Sequence, residues 1–201
     1  MSPKLFTHRD PRDFYSEPNL ITLLRLVGSL TLFTLAALKS SPTLNYIGLA
    51  VHWGGDVLDG FIARRFKQET ILGAEIDIIA DRVEILFFLI NFIDFNPGIA
   101  LPVVIYMVDF AFVDFYLGLQ FVKFDIISPN YFDKVDRPVY RWNFSPLGKF
   151  ANSTIVVLIL IFLPQLQLLA AAWAVGLIVV KTVSAVRLFR IRLQNPGQAK
   201  D

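Results

Sequence analysis

Long apolar stretches separated by short polar connections dominate this chain. Six of them approach the roughly 20 residues that a helix needs to cross the hydrocarbon core of a bilayer. The pattern predicts membrane-spanning helices over Leu20–Leu38, Leu44–Ile62, Ile71–Phe95, Ile99–Val122, Phe150–Leu163 and Leu166–Leu188. We therefore expect an all-α integral membrane protein, a bundle of six transmembrane helices.

The residues before the first span have a different character. They mix Lys4, Arg9 and Asp10 with aromatic and aliphatic side chains and contain no apolar core, so no cleaved signal peptide is expected. Such a segment can lie flat at the membrane interface or form a disordered tail. We expect an N-terminal interfacial segment over residues 1–18, a six-helix domain over 19–192 and a C-terminal tail over 193–201.

Composition supports the membrane interpretation. Of the 201 residues, 55% are hydrophobic and 18% are charged, whereas soluble domains carry about 25% charged residues. The chain has no cysteine, which excludes disulfides, thiolate metal sites and a cysteine nucleophile. A net charge of +2 gives no indication of nucleic-acid binding.

Basic residues are concentrated in alternate connections, and Lys39 alone falls on the opposite side of the predicted bundle. The positive-inside rule then places both termini of a multi-pass protein of the cell membrane in the cytoplasm. The biased connections carry Lys4, Arg9 and Arg12 before the first span, Arg64, Arg65 and Lys67 after the second, Lys123, Lys134, Arg137, Arg141 and Lys149 after the fourth, and Arg187, Arg190, Arg192 and Lys200 after the sixth.

Several carboxylates fall inside predicted spans, and four of them lie at helical spacing on two successive spans. Asp56 and Asp59 are near the end of the second, and Asp77 and Asp81 are in the first turns of the third. Each pair lies on one helix face, and the short connection brings the two helices together as antiparallel neighbours. Too few basic residues are expected on these faces to neutralise four anions, so one or two divalent cations are expected. All-oxygen ligation favours Mg²⁺, Mn²⁺ or Ca²⁺.

Small residues flank these carboxylates. They allow close packing of membrane helices, and they also allow a phosphorylated ligand to approach the helix surface. Both interpretations stand for Gly54, Gly55, Gly60, Ala63 and Gly73.

The same residues resemble a known signature. Asp56-Val-Leu-Asp59-Gly60-Phe-Ile-Ala63-Arg64, eight further residues and Gly73-Ala-Glu-Ile-Asp77-Ile-Ile-Ala-Asp81 fit the gapless pattern D-x2-D-G-x2-A-R-x8-G-x3-D-x3-D. This pattern is similar to that of the class I CDP-alcohol phosphatidyltransferase family. The segment Pro18-Asn19-Leu20-Ile21-Thr22, with Arg25, also resembles many family members.

The resemblance implies transfer of a phosphatidyl group from CDP-diacylglycerol to an alcohol, with release of CMP. Asp56, Asp59, Asp77 and Asp81 would hold two Mg²⁺ (or Mn²⁺) ions, and Asp81 would be the general base. The resemblance further implies a homodimer and a cytidine diphosphate site built from Gly60, Ala63, Arg64 and Gly73.

The acceptor alcohol is less clear. Pro146-Leu147-Gly148-Lys149 resembles a segment of phosphatidylglycerophosphate synthases, so Lys149, Arg141 and Arg137 are candidates for binding the phosphate of glycerol 3-phosphate. They could equally anchor the loop to anionic lipid headgroups. That subfamily usually has an Arg-Glu pair in the fourth span, where this chain has Asp109 and Asp114. These carboxylates could bind a polyol or an amino headgroup, or pair with Arg82 or Lys181.

Other functions remain open. The Asp81-Arg82 pair is similar to the branch of the family that uses inositol phosphate, which makes Arg82 a further acceptor candidate. A phosphatidylinositol-phosphate synthase-like or cardiolipin synthase-like enzyme is the alternative within the family. Intramembrane carboxylates also suit a cation or proton transporter, although transport does not require the glycines and Arg64 at these offsets.

Overall fold

The protein is helical in a computed structural model, which describes residues 11–124 and 126–194; within these ranges it contains no strand. The predicted interfacial segment lies mainly outside the described residues, as do Lys4, Arg9, Lys200 and the predicted tail from residue 195 onward. The described end of the N-terminal segment forms a short 3-10 helix, Pro11–Tyr15.

The described chain divides into two compact units, of which the first ends at Gly98. Three helices build this unit: α1 (Glu17–Leu38), α2 (Pro42–Arg65) and α3 (Ile71–Phe95). Tight turns connect them, with a left-handed residue in each, Ser40 and Lys67. The hydroxyl of Thr70 accepts a hydrogen bond of 2.9 Å from the Gly73 amide and so caps the start of α3.

The core of the first unit combines aromatic rings with buried amides. A Cβ atom on Gly48 would lie 2.5 Å from Cε1 of Phe33, so the glycine allows α1 and α2 to pack closely. Asn91 donates hydrogen bonds to Oδ1 of Asn45 (3.1 Å) and to the carbonyl of Phe33 (2.9 Å). These contacts join all three helices at one end of the unit.

The second unit begins at Ile99 and contains shorter segments. After a 3-10 turn (Pro97–Ile99) come α4 (Ala100–Val108), a π-helix (Asp109–Asp114), α5 (Phe115–Leu119) and a 3-10 helix (Gln120–Lys123). A 3-10 helix (Pro129–Lys134), α6 (Arg137–Val139), a second π-helix (Tyr140–Phe144), α7 (Pro146–Ser153), α8 (Ile155–Phe162), a 3-10 turn (Pro164–Leu166) and α9 (Gln167–Gln194) follow.

Helix α9 carries a stripe of polar residues that binds three of these segments. Lys181 forms ion pairs with Asp109 and with Asp114, the latter at 3.0 Å. Ser184 accepts a hydrogen bond of 2.8 Å from Asn143, in the second π-helix. Arg187 donates one of 2.7 Å to Asp136, the N-cap of α6.

The first π-helix explains how one lysine reaches two carboxylates. Five residues of α-helix would turn Asp109 and Asp114 about 140° apart. The wider turn of a π-helix, with hydrogen bonds from residue i to i+5, brings both carboxylates to one side. Of the alternatives left open for these aspartates, pairing with Lys181 is confirmed.

Within the described residues, three helical stretches are long and apolar enough to cross a membrane: Glu17–Leu38, Pro97–Lys123 and Pro164–Gln194. Helices α2 and α3 have 24 and 25 residues but carry the clustered charges. The region of the predicted fifth span, Phe150–Leu163, is helical from Pro146 in the structure and is divided at Thr154 into two eight-residue helices. Near this division, Ser153 donates a hydrogen bond of 2.7 Å to the carbonyl of Lys149, a contact that bends helices.

Candidate metal centre and catalytic site

The four predicted aspartates converge in the first unit around the guanidinium of Arg25, a residue of α1. Its Nη2 atom lies 2.9 Å from Oδ1 of Asp81 and 3.2 Å from Oδ1 of Asp77. Its Nη1 atom lies 3.3 Å from Oδ1 of Asp56, and Nε lies 4.0 Å from Oδ2 of Asp59. Helix α1 thus supplies a basic partner that was not predicted, although its single charge does not neutralise four aspartates.

Each helix contributes one polar face to this cluster. The spacing is i, i+4, i+7 on α2 and α3 and i, i+3, i+7 on α1, so each set points in one direction. The three faces consist of Thr22, Arg25 and Ser29 on α1, of His52, Asp56 and Asp59 on α2, and of Asp77, Asp81 and Glu84 on α3.

The aspartates differ in their exposure. Side chains of Asp56 and Asp77 are 44% and 37% exposed, whereas that of Asp59 is 5% exposed. The buried carboxylate of Asp59 accepts a hydrogen bond of 2.7 Å from Thr22. The cluster is therefore anchored on its inner side and accessible at Asp56 and Asp77.

Two buried members, Glu84 and His52, were not predicted as site residues. Glu84 is fully buried; its Oε2 atom lies 3.3 Å from Nη2 of Arg25 and 3.1 Å from Nδ1 of His52, and its Oε1 accepts a hydrogen bond from Ser29. The helical period could have indicated both, because Glu84 follows Asp81 by three residues and His52 precedes Asp56 by four.

Among the described residues, two groups of side chains could hold a metal ion. Asp56, Asp59 and Asp77 form one group, and His52, Asp81 and Glu84 form the other; within each, the ligand atoms lie within 4.8 Å of one another. The first group offers only carboxylate oxygens, the donors that Mg²⁺ and Mn²⁺ prefer. Since one guanidinium cannot neutralise five carboxylates, the charge of the cluster also fits divalent cations.

Glycines determine how closely the surrounding groups approach. A Cβ atom on Gly55 would lie 2.5 Å from both Cγ and Cδ of Arg25, so the stem of the arginine occupies the space that this glycine leaves. A Cβ on Gly60 would lie 3.1 Å from Nη1 of Arg64, and one on Gly73 would lie 2.8 Å from Oδ1 of Asn19. Gly60 and Arg64, four residues apart on α2, thus adjoin one another.

The predicted acceptor residues are divided between the two units. Arg82 is half-buried on α3 of the first. Arg137, Arg141 and Lys149 are exposed in the second, around the start of α7. There Gly148 is required for close packing, since its Cβ would lie 2.9 Å from the carbonyl oxygen of Trp142.

Fold and site together define a helical protein with long apolar helices and a carboxylate cluster suited to divalent metals. The family model for CDP-alcohol phosphatidyltransferases matches residues 15–137, and the chain belongs to this family.

Part of the chain is also similar to a curated enzyme. The chain is 30% identical over 105 residues to the CDP-diacylglycerol–glycerol-3-phosphate 3-phosphatidyltransferase of Cereibacter sphaeroides. This alignment covers 49% of the chain and 48% of the relative, so the chain spans about half the length of the curated relative it matches. No solved structure matches the chain significantly.

Proposed function

We propose that the protein is a phospholipid-synthesising transferase that moves a phosphatidyl group from CDP-diacylglycerol to glycerol 3-phosphate and releases CMP. The convergence of Asp56, Asp59, Asp77 and Asp81 on two adjacent helices is the observation that carries this proposal. These four residues are the aspartate positions of the family signature, and membership of the family supports the reaction class.

In this proposal the four aspartates hold two Mg²⁺ (or Mn²⁺) ions. When bound, such ions neutralise the charge that develops on the transferred phosphate. Asp81 accepts the proton of the acceptor hydroxyl as that oxygen attacks the phosphorus, and CMP leaves. Gly60, Ala63, Arg64 and Gly73 bind the cytidine diphosphate, for which the proximity of Gly60 to Arg64 provides support.

Glycerol 3-phosphate is favoured as the acceptor for two reasons. The curated relative is named for this acceptor, and Arg137, Arg141 and Lys149 are exposed cations able to bind a phosphate. Arg82 is a further candidate on the aspartate-bearing helix. The alternative acceptors, inositol phosphate or another polyol or lipid, have less support from Asp109 and Asp114, which pair with Lys181.

We further propose a membrane arrangement. Residues 19–192 form one catalytic domain that crosses the cell membrane six times, with both termini cytoplasmic and residues 1–18 at the interface. This arrangement is supported by the three apolar helical stretches and by the lengths of α2 and α3. It is also supported by the concentration of basic residues in alternate connections. A homodimer is proposed from the family resemblance alone.

A reconstituted assay tests the function. Purified protein in detergent is given CDP-diacylglycerol with glycerol 3-phosphate, inositol phosphate, inositol, serine or phosphatidylglycerol, in Mg²⁺ or in EDTA, and CMP release is measured. We expect release that depends on Mg²⁺ and is greatest with glycerol 3-phosphate. Preference for another acceptor would reassign the acceptor. Cation or proton flux into sealed proteoliposomes, without CMP release from any acceptor, would favour the transporter.

A further inference from the structure

The position of Arg25 points to a role that the reaction itself does not assign. Its side chain is 1% exposed, yet it is an ion-pair partner of Asp56, Asp59, Asp77, Asp81 and Glu84 at once. A buried guanidinium carries a high desolvation cost unless it is well paired and hydrogen-bonded. Arg25 therefore has a specific electrostatic function in this cluster.

Its hydrogen bonds are unevenly distributed. The Nη2 atom donates to Asp77 and Asp81, whereas within the described residues Nε and Nη1 make no hydrogen bond although both are buried. The guanidinium is thus held at one edge, and its interaction with Asp56 and Asp59 is mainly one of charge.

A second set of contacts fixes the arginine in place. Glu84 accepts a hydrogen bond from Ser29 and lies next to His52. Its carboxylate is therefore held in a fixed position beneath the guanidinium. Gly55 leaves the space for the arginine stem. Ser29, Glu84 and His52 are all buried, so the contacts that hold Glu84 are shielded from solvent.

Charge balance connects this arrangement to metal binding. The five carboxylates carry five negative charges when ionised, of which Arg25 offsets one; two divalent ions would offset the other four. The positive charge of Arg25 also lies close enough to the exposed aspartates to repel an incoming cation.

We propose that Arg25 is a built-in counter-cation: it holds the aspartates together before metal binds, and it weakens the affinity of the cluster for divalent ions. Arg25 is a positioning residue in this role, and Glu84 keeps it at the base of the site. The inference rests on the proposed metal-dependent function, because it concerns how the same carboxylates receive their ions.

The test compares wild-type protein with Arg25→Gln, and uses Arg65→Gln, an exposed arginine on α2, as the charge-matched control. Each protein is purified in Mg²⁺, and Tm is then measured in EDTA and in Mg²⁺. We expect Arg25→Gln to lower Tm in EDTA by roughly 10 °C. The stabilisation by Mg²⁺ should be larger than in the wild type, and Arg65→Gln should match the wild type.

Binding of Mn²⁺, followed by the EPR signal of the free ion, measures the charge effect directly. Arg25→Gln should bind Mn²⁺ at least about tenfold more tightly than the wild type. Equal or weaker binding, or an unchanged stabilisation by Mg²⁺, would overturn the proposal. Absence of any metal response in the wild type would instead contradict the proposed function.

The double variant Arg25→Gln/Glu84→Gln covers the case in which Arg25→Gln does not fold. It removes one positive and one negative charge and retains two amides of similar shape that can hydrogen-bond to one another. We expect it to recover much of the Tm lost in EDTA. Failure of the double variant to fold, or no recovery relative to Arg25→Gln, would also overturn the counter-cation role.

Discussion

Gly55 on α2 lies directly against the side chain of Arg25 on α1, at a distance that leaves no room for a Cβ atom. The adjacent Gly54 has no atom within 4 Å of the corresponding position. Two neighbouring glycines thus have different roles: one accommodates the arginine at the centre of the aspartate cluster, and the other faces open space.

This contrast gives a matched pair of variants. Gly55→Ala should displace Arg25 and reduce CMP release at least about tenfold, since misplacement of an active-site group by about 1 Å can cost 10²-fold in rate. Gly54→Ala should retain wild-type activity. Both changes raise helix propensity equally, by about 1 kcal/mol, so the difference isolates the contact. Equal CMP release by the two variants would contradict this packing role.

Asp77 tests the metal centre. Asp77→Asn removes the negative charge of one candidate ligand from the group that also contains Asp56 and Asp59. We expect this variant to insert into membranes but to lose Mg²⁺-dependent CMP release. Asp94→Asn, an exposed carboxylate later in α3, is the control and should be active. Near-normal turnover by Asp77→Asn would exclude the two-metal assignment.

The general base and the acceptor site should separate kinetically. Asp81→Asn should reduce kcat with every acceptor by about 10²–10⁴-fold, because proton removal belongs to the common transition state. Lys149→Ala and Arg141→Ala should instead raise KM for glycerol 3-phosphate, by the equivalent of about 1.5–3 kcal/mol for a charged hydrogen bond.

Lys134→Ala is the control for these kinetics, since Lys134 is an exposed lysine of the same unit that lies over the ring of Tyr131. It should leave KM unchanged. If Lys149→Ala and Arg141→Ala also left the acceptor KM unchanged, a neutral polyol, an amino alcohol or a lipid would become the better candidate.

Topology can be measured because the chain has no native cysteine. Single cysteines at the exposed positions Arg65, Arg141 and Arg190 should resist a membrane-impermeant thiol reagent in intact cells, and one at Lys39 should react. All four should react after the cells are permeabilised. Labelling of position 141 in intact cells would refute six spans with cytoplasmic termini.

Lys181 should contribute to stability rather than to metal binding. Lys181→Met leaves the carboxylates of Asp109 and Asp114 without their lysine, and breaking a buried pair costs about 3–5 kcal/mol. We expect a Tm lower by roughly 10 °C, with the shift caused by Mg²⁺ unchanged. Arg190→Met, an exposed change on the same helix, should have little effect; a similar loss in both variants would rule out a specific role of the ion pairs.

The sequence predicted the regular parts of this fold well. The predicted third span, Ile71–Phe95, coincides with α3, because a long apolar run there starts at a Thr70 cap and ends before Pro97. The division at Thr154 was not predicted, since an apolar run does not show where a serine side chain bonds to its own helix. Nor could α-helical periodicity predict that Asp109 and Asp114 face the same lysine.

The candidate site was predicted in its acidic residues but not in its centre. Asp56, Asp59, Asp77 and Asp81 share helix faces, which spacing alone indicates. The role of Arg25 depends on how α1 packs against the other two helices, and this packing depends on glycines whose contacts spacing does not reveal. Glu84 and His52 lie one helical turn further along the same helix faces. The sequence therefore indicates their positions, but it does not indicate their contacts.

The π-helix at Asp109–Asp114 has a consequence for comparing this chain with its relatives. A wide turn holds one residue more than the α-helical turn it replaces, so every position from Phe115 onward is shifted by one in register. Relatives that have an ordinary α-helix here should align only when a one-residue gap is placed within residues 109–114. Deletion of a single residue at this place would restore a continuous α-helix and leave the residues that follow facing in the same directions, whereas the same deletion in an ordinary α-helix would rotate them by about 100°.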